Sequence, residues 1–100
     1  LAGIACGNDD MALGVVKALQ EKDMKDQVMV VGVDFTEEAK AAIEDGTYDA
    51  TVAMSPYLMG REAVIMMLKA LEGQEVTSIG DSTPMALVNA DNVAEMSDWH

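Results

Sequence analysis

The sequence predicts an α/β fold built on a parallel, doubly wound sheet, and three observations carry that expectation. Short apolar runs of strand length stand at Gly3-Ile4-Ala5-Cys6, Val28-Met29-Val30-Val31-Gly32-Val33 and Ala50-Thr51-Val52-Ala53-Met54. Between them, apolar residues recur at steps of three and four, the period of a helix with one buried face. A further run, Pro84-Met85-Ala86-Leu87-Val88, completes the order β-α-β-α-β-α-β, which calls for parallel strands joined by right-handed crossovers.

The first run reads as a short buried strand, with Cys6 at its end as a small buried hydrophobe. Asn8 or Asp9 caps the following helix, and Ala12, Val15, Val16 and Leu19 form its inner face before the pattern fades at Glu21-Lys22-Asp23. Asp10, in the first turn, complements the helix dipole. The near-continuous apolar run from Val28 to Val33 is that of a central parallel strand covered on both faces. Thr36 caps the next helix, Glu37 and Glu38 suit its first turn, Ala39, Ala42 and Ile43 face inward, and Gly46 supplies a left-handed stop. After the third strand, Ser55-Pro56 gives a capping serine and a proline at the first helical position. That helix runs to about residue 72 and stops at Gly73. Its stripe of Leu58, Met59, Ala63, Met66, Met67, Ala70 and Leu71 is expected to fill a core, which accounts for many of the chain's nine methionines.

Composition excludes several function classes. Eighteen acidic and six basic side chains give a formal charge of −12, which argues against a nucleic-acid surface and against contact with anionic lipid. The longest apolar segment, Ala63-Val64-Ile65-Met66-Met67, falls far short of the ~20 residues of a membrane span. Leu1 opens into a strand-like run with no basic start, so no signal peptide is read. The single Cys6 forms no disulfide framework and has no metal-ligand spacing. No Ser/His/Asp set exists, since the one histidine is His100, and no glycine-rich phosphate loop appears. Asp9, Asp10 and Asp34 form an acidic set like that of a phospho-receiver, but no lysine follows the third strand. The chain is therefore expected to need no cofactor or metal and not to be an enzyme.

Two junctions stand out. Asn8 follows the first strand and Asp34 follows the second, so both lie at the carboxyl ends of parallel strands, where open α/β sheets bind ligands. Read from the residues alone, a helix cap accounts for Asn8 and a solvated turn before Thr36 accounts for Asp34. The same amide and carboxylate are also suited to gripping a polyhydroxylated ligand.

The run Asn8-Asp9-Asp10-Met11-Ala12-Leu13-Gly14, then Val30-Val31-Gly32-Val33-Asp34, then the helix ending at Gly46, then Ala50-Thr51-Val52-Ala53, with Gly60 beyond, resembles the C-terminal third of periplasmic sugar-binding proteins of ABC transporters. The type resembled is the ribose/galactose class, the type I periplasmic binding proteins. The resemblance implies two α/β lobes joined by a three-strand hinge, sugar in the cleft between them, hinge closure on binding, and a full chain about three times this length. It implies that residues 1–54 belong to the C-terminal lobe, that 55–83 cross to the other lobe, and that 84–100 hold a hinge-region strand and a tail. Asn8 matches the family's sugar-binding amide and Asp34 its acidic partner. Two further positions depart from the pattern: Val33 stands where many relatives carry an aromatic ring, and Met54 where Gln or Asn often reaches into the cleft. The implied function is a non-catalytic receptor for a sugar or related polyol, serving ABC transporter membrane subunits from the periplasm, or from the outer face of a Gram-positive membrane by a lipid anchor. The alternative is the effector domain of a LacI-type repressor, which shares the fold. With sheet partners missing, the first and third strands are expected to expose unpaired edges, and the fragment to self-associate.

Overall fold

In the computed structural model, which describes residues 1–76 and 84–96, seven main elements follow along the chain. They are β1 (Gly3–Ala5), α1 (Asp9–Glu21), β2 (Met29–Asp34), α2 (Glu37–Glu44), β3 (Ala50–Met54), α3 (Pro56–Leu71) and β4 (Met85–Asn89), with 3-10 turns at Lys25–Gln27 and Val93–Met96. Local chemistry sets their ends. Asn8, Thr36 and Ser55 each cap a helix by accepting an amide three residues on, from Met11, Ala39 and Leu58. Gly46 and Gly73, at φ +86° and +81°, stop α2 and α3 in the left-handed region that glycine tolerates.

The strands lie in the spatial order β1-β2-β3-β4. β1, β2 and β3 are parallel, with Ile4 opposite Val30 and Gly32 opposite Thr51. Helices α1 and α2 cover one face, where Ala12, Val16, Val30, Phe35, Ala39, Ile43, Tyr48, Ala53 and Val88 form the core. At the amino edge, the Asp49 carboxylate accepts from the Val30 amide at 2.7 Å and from the Lys25 ammonium at 2.9 Å, tying the start of β2 to the chain entering β3.

The expected α/β class is what is found, with four differences. β4 runs antiparallel to β3, Met54 opposite Met85 and Ala50 opposite Asn89, so the sheet is mixed. The cause lies in α3, which is no crossover helix: it carries no buried residue, leaves the sheet at Met54, and the chain re-enters beside it at Met85. For the same reason the α3 methionines do not fill a core, and Met67 is exposed. Third, β2 is covered on one face only. On the other, Met29, Met85 and Leu87 are 60%, 59% and 61% exposed. Fourth, β3 is an interior strand, and the edges are β1 and β4. Residues 77–83 and the tail with Trp99 and His100 lie outside the described residues.

A radius of gyration of 16.6 Å exceeds the ~13 Å of a compact domain of this length. The excess fits a 16-residue helix, ~24 Å long at 1.5 Å per residue, that packs into no core.

Candidate functional site: the carboxyl edge of the parallel strands

The three parallel strands end on one edge, and the sequence-derived site residues all fall there. Asn8 caps α1 just beyond β1, Val33 and Asp34 close β2, and Met54 closes β3. Cys6 donates its amide to the Val31 carbonyl at 2.9 Å, which aligns the β1–α1 junction with β2. Gly32 lets α1 approach: a Cβ there would meet the Asn8 carbonyl oxygen at 3.1 Å and the Ala12 Cβ at 3.2 Å, and would collide with the Tyr48 hydroxyl.

Asn8 and Asp34 fall on the same strand-end edge, and Val33 and Met54 lie on the other side of it. Alternation along β2 and β3 places Gly32, Thr51 and Ala53 on the helix-covered face and Val33, Val52 and Met54 on the open one. The edge thus carries polar groups on its helix side and apolar side chains on the other. The capping role of Asn8 is more than a competing explanation for it. Its Oδ1 accepts the Met11 amide at 2.9 Å, which fixes the side chain and leaves the two Nδ2 hydrogens to donate.

Asp34 is exposed and sits at φ +125°, followed by Phe35 at φ +65°. Two consecutive non-glycine residues there are uncommon, and each such residue costs on the order of 1–3 kcal/mol that the surroundings must offset. Partial desolvation, then the charges of Asp9 and Asp10, hold the Asp34 carboxyl above its ordinary value of 3.8.

The residue that sequence reasoning missed is Asp9. The sequence pattern presents it only as a helix cap and a member of an acidic set, but the residue is 0% exposed. Oδ1 accepts from the Thr51 hydroxyl at 2.6 Å and the Tyr48 hydroxyl at 2.8 Å, and Oδ2 from the Thr36 amide at 2.9 Å. Burial and the bond to Asp9 push the Tyr48 hydroxyl far above the ordinary phenol range, so it stays a donor. A signal was present: Asp9, Ala12 and Val16 are the buried residues of α1, spaced three and four apart, so the inner stripe begins one turn earlier than its first apolar member.

A concavity of about 350 Å³ lies at the opposite, amino edge beside Lys25, Met29 and Asp49. Its Lys25 and Asp49 already satisfy one another, whereas at the carboxyl edge the exposed Asp34 stands near the Asn8 cap on open surface. Among the described residues no cluster of three His, Cys, Asp or Glu is placed to hold a metal ion, and no helix is long and apolar enough to cross a membrane.

Comparison with known proteins decides the family. A family described as "Periplasmic binding protein domain" matches residues 1–75. The chain belongs to that family. This periplasmic binding protein chain is 44% identical over 69 residues to the ribose import binding protein RbsB of Salmonella typhimurium, covering 69% of the chain and 23% of that protein. It is 32% identical over 90 residues to the D-allose-binding periplasmic protein of Escherichia coli, covering 90% of the chain and 29% of that protein. Among solved structures, an ABC transporter solute-binding protein of Bacillus halodurans C-125 with bound myo-inositol aligns with TM-score 0.78 and 30% identity, over 100% of this chain and 34% of that one. The chain thus spans about a quarter to a third of the length of such relatives.

Proposed function

We propose that the full-length protein is a non-enzymatic receptor that binds a sugar or related polyol and delivers it to the membrane subunits of an ABC importer. The observation that carries this reading is the convergence of Asn8 and Asp34 on one sheet edge in a chain of the periplasmic binding protein family. Asp34, acceptor-only when ionised, takes two ligand hydroxyls in charge-assisted bonds, and Asn8 donates from Nδ2 to a ring or hydroxyl oxygen. Val33 and Met54 lie against the apolar C–H faces of the ligand. Met54 offers neither donor nor acceptor, so a ligand hydroxyl pointed at it is left unpaired at a cost of ~1–3 kcal/mol, which selects against such sugars.

The relatives and structures above carry ribose, allose and myo-inositol in their names. The shared chemistry is a ring bearing several hydroxyls, and that is the ligand class proposed here. Residues 55–83 cross to a second lobe that supplies the facing wall, and residues 84–100 return through the hinge. Ligand favours the closed form because only that form contacts it from both walls. The working location is the periplasm, or the outer face of a Gram-positive membrane under a lipid anchor.

A thermal-shift screen of the full-length protein against pentoses, hexoses and cyclitols tests this. Stabilisation of several degrees by one member, lost in Asp34→Ala, is the expected result. No shift with any of them overturns the ligand class.

A further inference from the structure

The chain passes from β2 into α2 through two positive-φ residues, Asp34 and Phe35, and Thr36 then caps the helix. A cap residue's own amide has no helical partner, and a Glu or Gln at the third helical position usually accepts it. Here that position is Ala39, which cannot. The acceptor comes instead from Asp9, 27 residues earlier, at 2.9 Å.

We propose that Asp9 is a positioning residue for the ligand edge, its buried carboxylate holding the Thr36 amide so that the Asp34–Phe35 backbone keeps the form that presents Asp34 on the edge that also carries Asn8. This inference rests on the sugar-binding reading above. Three features give Asp9 the required leverage. It is the first residue of α1, adjoining Asn8, so one side chain links the two halves of the grip. Its second oxygen is pinned by hydroxyls from β3 and from the loop before it, so the carboxylate cannot rotate away from Thr36. The Asp9 carboxylate is itself buried behind the edge, so the grip stands formed before ligand arrives and binding does not have to order it.

Four variants of the full-length protein separate positioning from mere structural support. Asp34→Ala must abolish binding of the sugar found by the screen; if it binds as tightly as wild type, the site reading itself fails. With that met, Asp9→Ala weakens the sugar Kd by about tenfold or more, measured well below its melting temperature. In Asp9→Asn the amide oxygen still accepts from Thr36 while the two hydroxyls rotate to accept from the NH2 group, so its Kd returns to within about threefold of wild type. Ile43→Ala, a buried change in α2 away from Asp9, lowers the melting temperature and leaves the Kd within the same margin. If Asp9→Ala lowers the melting temperature with an unchanged Kd, Asp9 only supports the fold and the proposal is overturned. Should Asp9→Ala not fold, hydrogen exchange of the sugar-free wild type decides. The Thr36 amide is expected to exchange as slowly as those of Val30 and Gly32. Exchange at the rate of an open loop until sugar is added contradicts the proposal.

Discussion

At the scale of single residues, Asp34 carries a conflict between stability and binding. Its carboxyl is held above 3.8 by desolvation and by Asp9 and Asp10, so ionising it costs more in the folded protein than in the unfolded chain. A carboxyl raised on folding contributes stability fully below its unfolded value and loses it as pH rises through the folded one. Asp34→Asn should therefore melt at the same temperature as wild type or higher at pH 7, with the gap closing as pH falls below about 4, while ligand binding is lost. Melting curves of both forms across that range check the sign. Gly32 makes the opposite case, since an added Cβ collides with the Tyr48 hydroxyl and presses on α1. Gly32→Ala should cost about 1–3 kcal/mol in denaturant unfolding. The strand-end positions of Asn8 and Asp34 were legible in the sequence because they follow from the apolar runs. Asp9 was not, because its meaning depends on Tyr48 and Thr51, which come some forty residues later and meet it only through the β2–β3 pairing.

Among elements, those whose ends are set by local chemistry were the easiest to read. The caps at Thr36 and Ser55 and the glycine stops at Gly46 and Gly73 stand where the sequence placed them. Thr36→Ala removes the oxygen that accepts the Ala39 amide and should cost about 1 kcal/mol. Chemical denaturation of the full-length protein measures it. What could not be read was β4. An apolar run after a helix looks the same whether it pairs parallel or antiparallel. The difference lies in whether the helix packs back on the sheet, and the stripe of α3 is apolar in either case. Its apolar residues call for a partner, and among the described residues nothing buries them.

For the molecule as a whole, one covered face and one open face define the energetics. Met29, Met85 and Leu87 lie on the open face, and β1 and β4 are edges. A polypeptide of these 100 residues alone should therefore associate in a concentration-dependent way, which sedimentation velocity detects. Its sugar binding should be millimolar or absent, since only one wall of the cleft is present. The α/β class was legible because strand and helix periods alternate cleanly. The absence of a second covering layer was not, because a strand bound for a two-sided core has the same apolar run whichever part of the chain supplies the cover. The central claim is that Asn8 and Asp34 form one wall of a sugar site, and isothermal titration calorimetry of the full-length protein with the ligand from the screen tests it most directly. The account predicts micromolar or tighter binding that Asp34→Ala weakens by about a hundredfold or more, the loss of charge-assisted bonds to two hydroxyls. An unchanged Kd in Asp34→Ala would contradict it.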